Sequence, residues 1–203
     1  MNDQPALIAL LIAAGLYAMN LWRQDYRAQQ VGQPNPRALP GATAAPLRAS
    51  VIAAAGALLI LAAETVGEIH LGLSEQQSKI TVLFGIYTLI AAFLEELMFR
   101  GFLVIEGKGQ VRLWAGIVGA SVAFAGLHPF LWSWENDTFT WTFTAKGWFS
   151  TTVVFISSLW FYSVRFAGFN PQRSLIPCIV AHATKNIGVI IIKAASGFFV
   201  GWY

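Results

Sequence analysis

The sequence predicts an all-α fold, a polytopic membrane bundle of about six transmembrane helices, and three observations predict it. Of 203 residues, 56% are hydrophobic and only 11% charged, with a mean hydropathy of +0.58, far from the usage of an average water-soluble domain. Six segments approach the roughly 20 mostly apolar residues that a helix needs to cross a bilayer. The Lys and Arg residues alternate between the connections.

In order, the spans fall near residues 5–22, 50–66, 80–105, 113–133, 147–166 and 174–199. Because apolar segments recur along the whole sequence, the first is expected to be a retained span rather than a removable signal. Between the first two, Pro34, Pro36, Pro40 and Pro46 with several Gly and Gln mark an irregular polar connection. The second span runs into Glu64 and Glu68, so its far end is expected at the interface. The first, third and fifth connections hold Arg23, Arg27, Arg37 and Arg48, then Lys108 and Arg112, then Arg165 and Arg173. The second and fourth hold Lys79 and Lys146 beside Glu64, Glu68, Glu75, Glu135 and Asp137. This bias puts the odd-numbered connections in the cytoplasm and both termini outside. Trp22, Trp114, Trp132, Trp134, Trp148 and Trp202 fall near span ends, as an aromatic belt requires. The basic residues form no run, which argues against nucleic acid as a partner. The single cysteine, Cys178, excludes an internal disulfide and a Cys-based zinc site. It reads as packing on its helix, with a nucleophilic thiol beside His182 as the competing reading.

The informative positions are the ionisable ones inside these spans. Each costs roughly 2.5 kcal/mol or more at the centre of a transmembrane helix, so Glu95, Glu96 and Arg100 are functional-site candidates by default. Residues four apart share a helix face, and acid before base is the favourable order, so Arg100 can hold Glu96. Glu95 projects about 100° away and is the freer carboxylate, suited to general-base work in an apolar wall. His128 lies four after Phe124, which can pack beneath its ring. Asn186 lies four after His182, a pair suited to donating to a developing oxyanion. Counted at about 1.5 Å per residue, Glu95, His128 and His182 fall at overlapping depths. A carboxylate, two imidazoles and an amide suit hydrolysis of a peptide by an activated water.

Three patterns in order, Glu95-Glu96-x-x-x-Arg100, Phe124-x-x-x-His128 and His182-x-x-x-Asn186, make the sequence similar to the CPBP family of intramembrane proteases. That family includes the type II CAAX prenyl endopeptidases and bacterial bacteriocin-processing and abortive-infection proteins. The resemblance covers about residues 80–195 and has no departure at the motif positions. It implies a glutamic-type intramembrane protease in which Glu95 with His128 activates the water, His182 and Asn186 form the oxyanion pocket, and Glu96 and Arg100 support the site. Residues 1–79 then form N-terminal transmembrane helices with a Pro-rich cytoplasmic loop, and residues 80–203 the catalytic helical core.

No cofactor is expected, with one alternative: zinc held by Glu95, His128 and His182, since catalytic zinc takes three protein ligands and leaves a water position open. There is no H-E-x-x-H pattern, and Asn186 is a poor zinc ligand. The expected partners are a membrane-associated protein or peptide substrate and the lipid bilayer, and the expected location is a prokaryotic plasma membrane. The structural readings are that Glu96–Arg100 is only an ion pair and that His128 and His182 are only satisfied packing groups. Lys185 and Lys193 read as snorkelling or cavity-edge residues. The Asn136-Asp137-Thr138 triplet reads as a chance glycosylation pattern. A catalytically silent scaffold or bacteriocin-immunity protein of the same fold, and a small proton-coupled carrier, are the rival functions.

Overall fold

The computed structural model describes residues 4–203. Six helices follow in order: α1 (Pro5–Gln30), α2 (Leu47–His70), α3 (Val82–Glu95), α4 (Gln110–Leu127), α5 (Ala145–Phe166) and α6 (Ile176–Ala195). α3 continues without a break into a π-helical segment, Glu96–Phe102. Five of the helices, α3 taken with that segment, are long and apolar enough to cross a membrane. The sixth, α5, turns Ser150, Ser157, Ser158 and Arg165 inward, so its polarity is carried inside the bundle. The protein is an integral membrane protein with an all-α polytopic architecture.

Local sequence sets the helix boundaries. Pro5 and Pro177 lie in the first turns of α1 and α6, where a missing N–H costs nothing. Thr81 and Thr144 cap α3 and α5 by accepting from the amides of Phe84 and Gly147 at 3.2 and 2.9 Å. α2 does not stop near residue 66 but carries Glu64 and Glu68 as far as His70. α4 ends at Leu127, short of the expected 133, because Pro129 disfavours a helical conformation at His128, whose φ and ψ are −76° and 126°.

After that break the chain forms a hairpin the helical reading did not include, β1 (Trp132–Glu135) and β2 (Thr138–Trp141). Asn136 and Asp137 adopt φ of 49° and 57°, the two left-handed positions of a tight hairpin turn. The register pairs Trp132 with Trp141 and Trp134 with Phe139, which places four aromatic side chains on one face.

The packing interfaces are small-residue seams. Ala49, Ala53 and Ala57 form a fully buried stripe on α2, and Ala53 and Ala57 pack against Phe161 and Val164 of α5 and Cys178 and Ala181 of α6. Helices in a bilayer associate through such close approach rather than through hydrophobic exclusion. α1 covers the outer side of α3, where Trp22 packs on Phe93 and Leu97. Trp22 is therefore core, only 8% exposed and donating to Pro40 O at 3.0 Å, and not part of a belt. Trp114, Trp134, Trp148 and Trp202 do stand exposed.

The two ends of the bundle separate the connections by parity. At one end, Thr43 Oγ1 donates to Gln172 O at 3.1 Å, the Leu175 amide to Gly41 O at 3.0 Å, and Arg173 pairs with Glu106 at 2.6 Å. At the other, Lys146 pairs with Glu68, and residues 198–202 run along the entry to α3. There the amides of Ile80, Val82 and Leu83 donate to the carbonyls of Phe198, Gly201 and Trp202 at 2.9, 3.0 and 2.9 Å.

Candidate active site

Five of the six expected residues lie on the two elements that meet at the centre, α3 with its π segment and α6. Arg100 Nη1 donates to Glu96 Oε1 at 3.1 Å, and neither side chain has any exposed surface. The same carboxylate oxygen takes a second contact that spacing alone did not reveal: His182 Nδ1 lies 2.8 Å from it. A carboxylate only accepts, so Nδ1 carries the proton and Nε2 is turned the other way, toward Glu95 Oε2 at 3.7 Å. Glu96 thus orients an imidazole as well as pairing with Arg100. Glu95 is the freer carboxylate, as expected, with 33% of its side chain exposed.

His128 reaches the cluster through Phe124. That ring, 3% exposed, contacts the His128 ring at 4.8 Å and meets the His182 ring edge-on at 6.2 Å. The Arg100 guanidinium lies over it at 4.6 Å. His128 Nδ1 donates to Phe124 O at 2.8 Å, which leaves Nε2 as the acceptor. On its other side His182 stacks on Phe161, with centroids 4.8 Å apart. Asn186, one turn beyond His182, donates one amide proton to Thr88 O on α3 at 2.9 Å. It ties α6 to the helix carrying Glu95 and keeps a second amide proton.

Groups from α5 complete the surroundings. Arg100 Nη2 donates to Ser158 Oγ at 2.7 Å and to Ser158 O at 3.2 Å, and Ser158 Oγ donates in turn to Ser121 Oγ of α4 at 2.9 Å. A π turn widens the helix and leaves carbonyls unpaired. Here Tyr162 Oη donates to Phe99 O at 2.6 Å and to Leu103 O at 3.3 Å, while Arg165 Nε donates to Arg100 O at 3.2 Å. Sequence reasoning missed these residues. The available signal was that Ser158, Tyr162 and Arg165 stand at i, i+4 and i+7, a polar stripe that an apolar span does not turn to lipid.

Over residues 77–188 the sequence matches the family described as Rce1-like, type II CAAX prenyl endopeptidase Rce1-like. The match takes in more than half of the chain. The chain belongs to this family. Its matched stretch begins just before α3 and ends within α6, enclosing Glu95, Glu96, Arg100, His128, His182 and Asn186. No curated protein and no solved structure matches. At the family level an Rce1-like chain is an intramembrane endopeptidase that works in a membrane on a membrane-associated protein.

Two further positions in this Rce1-like chain differ from their sequence reading. Lys185 neither snorkels nor lines an edge; it is buried, and its Nζ donates to Glu64 Oε2 of α2 at 2.7 Å. Lys193 is likewise inside, donating to Ser78 O at 2.6 Å. Cys178 is fully buried with its thiol on Phe161 O at 3.4 Å, a packing residue without access for a substrate. Among the described residues no group of three or more His, Cys, Asp or Glu side chains is placed to hold a metal ion. The Nδ1 atoms of His128 and His182 are engaged by Phe124 O and Glu96, and Glu95 Oε2 lies 3.7 Å from His182 Nε2.

Proposed function

We propose that the chain hydrolyses a peptide bond of a membrane-associated protein or peptide with a water activated by Glu95, and without a covalent intermediate. Water oxygen attacks the scissile carbonyl carbon while Glu95 takes the water proton. Collapse of the tetrahedral intermediate breaks the C–N bond, and Glu95 returns that proton to the departing amine. His128 accepts at Nε2 and helps orient the water. The proton that Glu95 takes from the water is shared with His182 Nε2, 3.7 Å away, so that the ring, held at Nδ1 by Glu96, donates to the developing oxyanion together with the free amide proton of Asn186 before the proton goes on to the amine. Arg100, locked by Ser158 and the surrounding rings, holds Glu96 in place.

The observation that carries this reading is the His182 ring held between two carboxylates, one buried and paired at 2.8 Å and one accessible at 3.7 Å. This is two titratable groups of one type in unlike surroundings, the arrangement that divides an orienting role from a reacting one. Asn186, a poor zinc ligand standing one turn from His182, favours a metal-free course. A silent scaffold or immunity protein has no use for the accessible Glu95 carboxylate beside an oriented imidazole.

The test is Glu95→Gln in proteoliposomes supplied with a mapped peptide pool. The expected result is loss of cleavage with unchanged helicity and insertion; retained turnover would remove Glu95 from the reaction. We further propose a prokaryotic plasma membrane with both termini outside. The meeting of the Arg-bearing connections at one end of the bundle supports this, and single-cysteine labelling from either side tests it.

A further inference from the structure

Between the C-terminal end of α4 and the hairpin lies a cavity of about 350 Å³. Its walls are Gly126, Trp132, Phe139 and Trp141 with neighbouring aliphatic groups, and His128 is one of them. It meets the candidate active site at that one residue. Trp132 Nε1 donates to Gly126 O at 2.8 Å, which pins the hairpin over α4. Phe139 stacks on Trp132 at 5.9 Å and stands edge-on to Trp141 at 4.9 Å, so the aromatic wall is braced from within. A Cβ added at Gly126, an exposed residue of the cavity wall, would meet nothing within 4 Å.

We propose that this cavity is a side-chain subsite that seats one large apolar residue, Leu or Phe in size, of the substrate segment brought to His128. The proposal rests on the protease reading. The volume lies at the low end of the roughly 300–1,000 Å³ typical of ligand pockets, matching a bulky side chain and its flanking backbone. The wall is mostly hydrocarbon, with Thr151 and His128 its polar members, so a charged side chain would lose most of its hydration for few partners. Position adds the second constraint. A side chain lodged against Trp132 and Phe139 places the backbone that bears it beside His128 and, across Phe124, near His182. The hairpin thereby acts as the specificity element, through Trp132, Phe139 and Trp141.

The test compares wild-type protein with Gly126→Leu in proteoliposomes. The probes are decapeptides carrying a single Phe, Leu or Ala at scanned positions in a Gly/Ser/Thr background, with cleavage mapped by mass spectrometry. Wild type is expected to prefer Phe or Leu. Gly126→Leu places a bulky side chain on the wall and is expected to lower kcat/KM for Phe peptides on the order of 10²-fold more than for Ala peptides. An identical preference in both proteins overturns the subsite and leaves the protease reading standing. Binding separates the two ideas: a bromophenylalanine peptide should quench tryptophan emission in Glu95→Gln, and Gly126→Leu should abolish the quenching. Quenching without any cleavage by wild type would sink the protease reading and keep the cavity. Quenching only by lipid with brominated acyl chains would assign the cavity to the bilayer and overturn the proposal.

Discussion

Phe124 has no reacting atom, yet both imidazoles and the guanidinium touch its ring. The sequence pattern Phe-x-x-x-His supplied one of these contacts, since four residues on a helix bring two side chains together. The other two depend on tertiary placement and were not legible. The same limit applies to Glu96. Its pairing with Arg100 follows from spacing, whereas its contact with His182 joins residues 86 apart in sequence. At this scale the decisive substitution is His182→Ala. In the proposed mechanism this removes a group facing the oxyanion, and kcat is expected to fall by roughly 10²–10³, measured on reconstituted protein; an unchanged rate would deny His182 any part in the reaction.

The π segment is the element on which the site depends. An α-helical continuation of α3 was the expectation from residues 80–105, and hydrophobic periodicity cannot distinguish one wide turn from a regular helix. What stabilises the wide turn comes from elsewhere: Tyr162 and Arg165 of α5 occupy the carbonyls it frees. Tyr162→Phe should therefore destabilise the protein by about 1–3 kcal/mol, the cost of leaving buried carbonyls unpaired. The same change should lower activity through the displaced Arg100. Denaturation in mixed micelles alongside turnover checks this, and equal stability with equal turnover would mean the segment holds itself. The hairpin was legible in principle: Trp-Ser-Trp-Glu and Thr-Phe-Thr-Trp alternate around Asn-Asp. The apolar character of the stretch masked it, because aromatic strands score as span.

Across the whole molecule, α2 joins the motif-bearing helices through a partly buried ion pair, Glu64 with Lys185, although Glu64 lies outside the matched residues 77–188. No local spacing rule connects positions 121 residues apart. Removing one partner strands the other, so Glu64→Ala should cost about 3–5 kcal/mol, and Glu64→Leu with Lys185→Met should recover most of it. Unfolding of the two variants in micelles decides the matter; additive losses would show that the residues act apart. The count of helices and the order of connections were readable because bilayer thickness and charge bias act on any such chain. Residues 198–202 have a different importance. Their carbonyls receive amides from 80–83, so the first turn of the helix that carries Glu95 gains its hydrogen-bond partners only after more than a hundred later residues have been made.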